Sequence, residues 1–205
     1  MKNIIETIFN ILAPPPLPVR EIERMALSEW RDRLRPGITD DGIRFLFPYS
    51  NQTVSAALIE IKTRRNPAIV RVFGSLLFEC LEPYRKNRPI IMPIPVTPRR
   101  MRERGWNQCI LILRELAKVD RGRHFETRSD ILIKVRNTDD QVGKNRAERA
   151  QNIRGAFSVF DSKFLDRRDV VVFDDIVTTG ATLREARNVL LHAGARTVFC
   201  IAIAH

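Results

Sequence analysis

Two adjacent carboxylates, Asp174 and Asp175, stand three residues ahead of Thr178, Thr179, Gly180, Ala181 and Thr182. An acid pair can accept hydrogen bonds from a sugar diol or face a hydrated Mg²⁺. A small, hydroxyl-rich turn ahead of a helix presents free backbone N–H groups and the positive end of the helix dipole, and together these hold a phosphate. Acids that grip hydroxyls beside a turn that grips phosphate are chemistry suited to a phosphorylated sugar.

The surrounding pattern supplies elements to position that chemistry. Val170, Val171, Val172 and Phe173 read as a strand buried on both faces, stopping at the acids. Leu183, Ala186, Val189, Leu190 and Ala193 fall on one side of a helix. Thr182 and Glu185 have capping-box spacing, which predicts a start at Leu183. Ile90, Ile91 and Met92 make a second buried strand that runs into a rigid proline loop and then Arg99, Arg100 and Arg104, ahead of a helix through Leu116. Guanidinium groups there suit a pyrophosphate, which arginine pairs with bidentately; an Arg-rich helix start exposed to water reads equally well. Residues 131 to 135 form a third strand and 156 to 160 another. The polar stretch between them, 136 to 154, is too long for a tight turn and reads as a mobile lid. Residues 197 to 204 close the chain as a buried strand.

Strands alternating with helices predict an α/β fold, an open and mainly parallel sheet flanked by helices, with ligands at the strands' carboxyl ends. The acid pair and both basic clusters, within 85–104 and 134–154, map to that edge. Upstream, residues 19 to 35 read as one helix ended by Pro36-Gly37, and helices over 54–62 and 68–81 are broken at Asn66-Pro67. Residues 1 to 13 form a short amphipathic helix rather than a signal peptide, and Pro14, Pro15, Pro16 and Pro18 a stiff linker. A small helical N-terminal appendage (1–44) therefore precedes the main domain (45–205).

The formal net charge of +11 favours anionic partners. Three cysteines without a close pair, Cys80, Cys109 and Cys200, exclude a disulfide framework or Cys-rich zinc site and fit a reducing cytoplasm. No apolar run approaches a membrane span. His124, His192 and His205 all lie away from the motifs in sequence, so no general base is assigned.

Residues 170 to 182 resemble the phosphoribosyl-pyrophosphate (PRPP) signature of type I phosphoribosyltransferases: a hydrophobic strand, two acids, then Thr-Thr-Gly-Ala-Thr. The resemblance implies that Asp174 and Asp175 bind the ribose hydroxyls while residues 178 to 182 wrap the 5′-phosphate. A narrower resemblance, to the ComF family of phosphoribosyltransferase-like proteins linked to natural competence, rests on a series of short matches in order. These are Phe47-Pro48-Tyr49, Lys62, Pro93-Ile94-Pro95, Arg104-Gly105-Trp106-Asn107-Gln108, Arg136 with Thr138 and Gln141, Arg149 with Asn152, Ala156-Phe157, and the signature itself. Many members of the family carry a four-cysteine zinc ribbon, but residues 1 to 44 contain no cysteine, so no zinc is expected.

The resemblance implies PRPP bound with Mg²⁺, the metal held by Asp174 and Asp175 through water. It places Arg99, Arg100 and Arg104 at the pyrophosphate and Thr138, Gln141 and Arg149 on a closing lid. Three readings stay open at this point. One is an enzyme transferring the phosphoribosyl group, and another a nucleotide sensor without chemistry. The third is an adaptor for single-stranded DNA or a competence helicase, with Trp106 or Trp30 stacking on bases.

Overall fold

The computed structural model of the protein describes residues 19–136 and 153–205. The N-terminal helix and proline linker expected within 1–18, and Thr138, Gln141 and Arg149 of the expected lid, lie outside the described residues.

Two short helices, α1 (Val19–Arg24) and α2 (Leu27–Asp32), stand where one was expected. Ala26 takes an extended conformation and its N–H donates to the Glu29 carboxylate at 2.7 Å, which starts a new helix rather than continuing the old one. Then come β1 (Gly37–Ile38), β2 (Arg44–Phe47), α3 (Gln52–Arg64) and α4 (Pro67–Cys80). Asn51 and Asn66 cap the two longer helices by accepting from their first N–H groups, and Pro67 occupies a position that needs no donor.

Between β3 (Ile90–Pro93) and α6 (Gln108–Val119), the expected proline loop spans 94–97, and the arginine run after it forms a short helix, α5 (Pro98–Arg104). Thr97 caps its start, Gly105 at φ 77° ends it, and Asn107 caps α6. The remaining elements are β4 (Glu126–Thr127), β5 (Leu132–Lys134), β6 (Phe157–Val159), β7 (Asp169–Ile176), α7 (Ala181–His192) and β8 (Thr197–Ala204).

Six strands form one sheet in the order β1-β2-β8-β7-β3-β4, parallel throughout except for β1 against β2. β5 and β6 leave the sheet as a separate antiparallel pair. Period-2 alternation along β7 divides the core. Val171 and Phe173 pack with α3, α4 and α6 on one face; Val170 and Val172 pack with α7 and Phe157 on the other. The protein is thus an α/β fold with a mainly parallel sheet flanked by helices.

Connectivity also locates the crevice. From β3 the chain crosses through α6 on one face to β4; from β7 it crosses through α7 on the opposite face to β8. The two crossovers leave in opposite directions, so their loops part at the carboxyl ends of β3 and β7, where ligands bind in open α/β sheets.

Candidate functional site

The strand does not stop at the acids. β7 continues to Ile176, with Asp174 paired to Ala202 and Ile176 to Ala204, because β8 stays apolar to its end and keeps pairing. Consecutive residues of a strand face opposite sides, yet the two carboxyl groups bend toward each other and share a side-chain hydrogen bond. The turn follows, and Gly180 at φ 72° caps α7, which begins at Ala181 rather than Leu183. Thr182 therefore sits inside the first turn, and the Glu185 carboxylate accepts from the Gly155 N–H at 2.6 Å instead of closing a capping box. Position 180 favours glycine for its φ, and a methyl group there would come 2.7 Å from Ile43 Cδ1, the end of a side chain that can give way. Asp174 and residues 176 to 183 line a narrow cleft of about 30 Å³. All five turn residues singled out in the sequence meet there beside one of the two acids.

Asp175 is turned away from this cleft and buried. Lys62 of α3 holds it through Nζ to Oδ2 at 2.7 Å, and the Gln108 amide also hydrogen-bonds to it. Burial alone would raise its pKa, but the Lys62 ammonium holds the carboxyl below the usual range. Asp174 behaves oppositely. Burial, then the charge of Asp175, push its carboxyl well above the usual range. Its Oδ1 accepts from the Asp175 N–H at 2.9 Å and lies 3.7 Å from Cys109 Sγ, whose thiol is itself pushed up by burial and by Asp174.

The expected sharing of basic groups along one edge is corrected. Arg85, Lys86 and Arg88 precede β3 and lie at its amino end, where Arg168 donates to the Arg88 carbonyl and Asn87 to Asp169. Of that cluster, Arg99, Arg100, Arg102 and Arg104, on α5, follow the strand to the carboxyl edge. Arg99 is exposed and faces Glu103 at 3.4 Å. The charge of Arg100 reaches Lys134 on β5, and Lys134 in turn interacts with Asp174. Burial, with Arg100 adding to it, lowers the Lys134 pKa to about 8.

Four residues without an assigned role therefore belong to the site: Lys62, Cys109, Gln108 and Lys134. A lysine at the end of an apolar helix face was the signal for Lys62, but no local pattern shows that it reaches Asp175. His205 is a further correction. β8 runs parallel to β7, so its last residue emerges beside the turn, and His205 Nδ1 lies 3.1 Å from the Val177 carbonyl. Trp30 offers no ring for stacking, and Trp106 is half-buried with one face covered. Trp30 is fully buried against Phe47 and Phe73, while Trp106 donates to the Ile61 carbonyl at 3.1 Å and lies beneath the Arg65 guanidinium, 4.2 Å away.

Cys109, Asp174 and Asp175 bring three donor atoms within 4.8 Å of one another. This set does not fit a directly bound Mg²⁺: one donor is a thiol, one carboxyl is pushed toward its neutral form, and the third already faces an ammonium.

An α/β protein with an acid-flanked turn at a topological switch point is the class that this geometry defines. Known proteins narrow it. The chain is 34% identical over 110 residues to Competence protein F of Haemophilus influenzae, covering 53% of this chain and 46% of that protein. It is 30% identical over 168 residues to Competence protein ComFC of Bacillus subtilis, covering 80% and 64%. The DNA utilization protein YhgH of Escherichia coli O157:H7 is 33% identical over 108 residues, covering 53% and 45%. The chain is thus a relative of the ComF, ComFC and YhgH proteins, and the ComF resemblance read from its motifs holds, although it spans only between 45% and 64% of their lengths. No protein-family model matches it. Among solved structures, the glutamine PRPP amidotransferase of B. subtilis complexed with ADP and GMP gives a TM-score of 0.40 at 19% identity, covering 73% of this chain and 26% of that one. The fold itself stands on the strand order above. Among the described residues, no helix is long and apolar enough to cross a membrane.

Proposed function

We propose that the protein binds PRPP as its Mg²⁺ complex and transfers the phosphoribosyl group to a nitrogen acceptor. The observation that carries this reading is the cleft in which the amide-rich turn before α7 and the Asp174 carboxyl face the same space. In it, the N–H groups of residues 178 to 182 take the 5′-phosphate, and the Thr178, Thr179 and Thr182 hydroxyls add donors. Asp174 hydrogen-bonds to a ribose hydroxyl. Asp175 acts one step back, fixed by Lys62 and tuning its neighbour through charge.

On this reading the departing pyrophosphate meets Lys134, which interacts with Asp174, and Arg100, Arg99 and Arg104 of α5. Mg²⁺ bound to the polyphosphate supplies further neutralisation of the leaving group. Protein groups then orient the anomeric carbon and keep water from it. Thr138, Gln141 and Arg149 complete the site as a lid in this proposal.

The names of the relatives, two competence proteins and a DNA utilization protein, together with the net charge of +11, favour a role in handling incoming DNA. On that second reading the phosphoribosyl site serves as a sensor or works beside a DNA-bound or helicase partner in the cytoplasm.

Calorimetry with PRPP and Mg²⁺ tests the proposal. Micromolar binding that Asp174→Asn weakens by about tenfold, the loss of one hydrogen bond to a charged or strongly polar partner, supports it. No heat at millimolar PRPP overturns it. Release of pyrophosphate across a panel of bases separates transfer from sensing.

A further inference from the structure

The basic groups left at the amino end of β3 surround a second concave site. A cavity of about 330 Å³ opens there, at the edge of the sheet opposite the cleft beside Asp174, and its lining includes Arg88, Asp120, Arg123, Phe125, Glu126 and Thr127. That volume lies at the lower end of the range for small-molecule sites. Both carboxylates of the lining are engaged. Asp120 accepts from the N–H groups of His124 and Phe125 at 3.0 and 2.9 Å, and Glu126 is held by Arg168 at 3.0 Å. The two guanidiniums are not: among the described residues, neither Arg88 nor Arg123 has an ion-pair partner. Free cations over satisfied acids leave a positive field that favours an anion.

The walls are held in place. Arg88 and Arg123 take left-handed backbones, φ 47° and 50°, which residues with a Cβ seldom adopt and keep only where their surroundings hold them. Here the Arg168 guanidinium donates to the Arg88 carbonyl at 3.0 Å, and the Arg123 N–H donates to the Asp120 carbonyl at 3.0 Å. A further wall is β4, the last strand of the sheet. The N–H groups of Glu126 and Arg128 donate to the Pro89 and Ile91 carbonyls, so alternation turns the Thr127 N–H and C=O away from β3 to the open edge.

Two free cations suit a polyphosphate, and a strand edge with one donor and one acceptor beside them suits the polar edge of a base. A passing nucleic-acid strand would call instead for an exposed ring on which to stack, and Phe125, the ring of this cavity, is buried. We infer that this cavity binds a nucleoside polyphosphate, its phosphates between Arg88 and Arg123 and its base against the free edge of β4. The site is separate from the phosphoribosyl cleft, at the other end of β3, and does not rest on that reading.

Calorimetry of the full chain with ATP, without Mg²⁺ so that the phosphates stay free for the arginines, tests the inference. Tripolyphosphate and an oligothymidylate serve as the competing anions. ATP should bind with a Kd below about 1 mM, and Arg88→Ala combined with Arg123→Ala should weaken it at least about tenfold as two charged contacts are lost. Both positions are exposed, and alanine keeps a Cβ at the same φ, so the fold bears no new strain. Gly180→Ala, altered at the phosphate turn, should bind ATP like the unaltered chain, and PRPP affinity should not change in the double arginine variant. ATP binding lost in Gly180→Ala and kept in the arginine variant places the nucleotide at the turn and overturns the inference. Tripolyphosphate binding as tightly as ATP reduces the site to an anion patch, and an oligothymidylate that displaces ATP at lower concentration makes it a nucleic-acid surface; either overturns the assignment. ATP that gives no heat at millimolar concentration does the same.

Discussion

Asp174 and Asp175 are neighbours in sequence, and the two sides of β7 treat them in opposite ways. On the α3 and α6 side, Asp175 is closed in, paired with Lys62 and hydrogen-bonded to Gln108. Asp174 also touches Cys109 of α6 and hydrogen-bonds to Asp175, but it is half-buried, its carboxyl is pushed above the usual range, and it opens toward the other side on a cleft with the turn before α7. The difference teaches that an acid pair in a strand is not one functional unit. Its first member meets the ligand space and its second is an internal anchor, whose negative charge is one reason the first resists ionisation.

The sharpest way to break this contrast is to unpair the anchor. Lys62→Met leaves a buried carboxylate without its cation, and with Lys62 itself a quarter exposed the expected loss is about 3 kcal/mol, read as a lower urea midpoint. Adding Asp175→Asn should restore most of it. The sign with pH follows from the direction of the Asp175 shift. Its folded-state pKa lies below the unfolded value of about 3.9, so the pair's contribution is present above that pH and is lost as pH falls through the folded value. If Lys62→Met costs less than about 1 kcal/mol, a typical surface value, Asp175 is no anchor.

Gly180→Ala probes the ligand side next. Alanine at φ 72° costs about 1–2 kcal/mol, a strain that the turn relieves by shifting its backbone. PRPP affinity should fall at least about tenfold, the cost of misaligning amides aimed at a phosphate. A variant that loses stability but binds PRPP normally would show that the turn does not hold the phosphate.

Much of this was legible beforehand because β-branched runs and capping residues act locally. Val170 to Phe173, the final strand at Thr197–Ala204 and the break at Asn66-Pro67 each declare themselves within a few residues. What escaped depends on the register between distant segments. Nothing near Asp174 says that β7 pairs on to Ile176, because that rests on how far β8 stays apolar. Nothing near Lys62 says that α3 delivers it to Asp175, or near His205 that a parallel strand brings it to the turn. The basic run from 85 to 104 looked like one cluster, but β3 lies in its middle and carries its two halves to opposite ends of the sheet.

A smaller effect comes from Asp174 itself. Its folded pKa lies above the unfolded one, so near pH 7 the unfolded chain gains an ionisation that the folded one resists, and this penalty disappears as pH falls below the unfolded value. Asp174→Asn should therefore stabilise the free protein by about 1 kcal/mol at pH 7, roughly 2–4 °C in Tm, and by nothing near pH 3, while weakening PRPP binding. A destabilised variant would mean that the carboxyl is ionised and held by partners, as Asp175 is.

The gentlest test concerns Lys134, faced by Arg100 from α5, Asp174 from β7 and the Phe157 ring 5.6 Å away on β6. Burial and Arg100 bring its pKa to about 8 against about 10.4 unfolded, so it loses its charge within an accessible range. If the ammonium meets the pyrophosphate, PRPP affinity should fall a few-fold between pH 7 and pH 9.5, since the ligand's anionic charge changes little there. Lys134→Arg keeps the cation at every pH and should flatten that slope without abolishing binding. A slope unchanged in Lys134→Arg assigns the titration to another group and removes Lys134 from the pyrophosphate contacts.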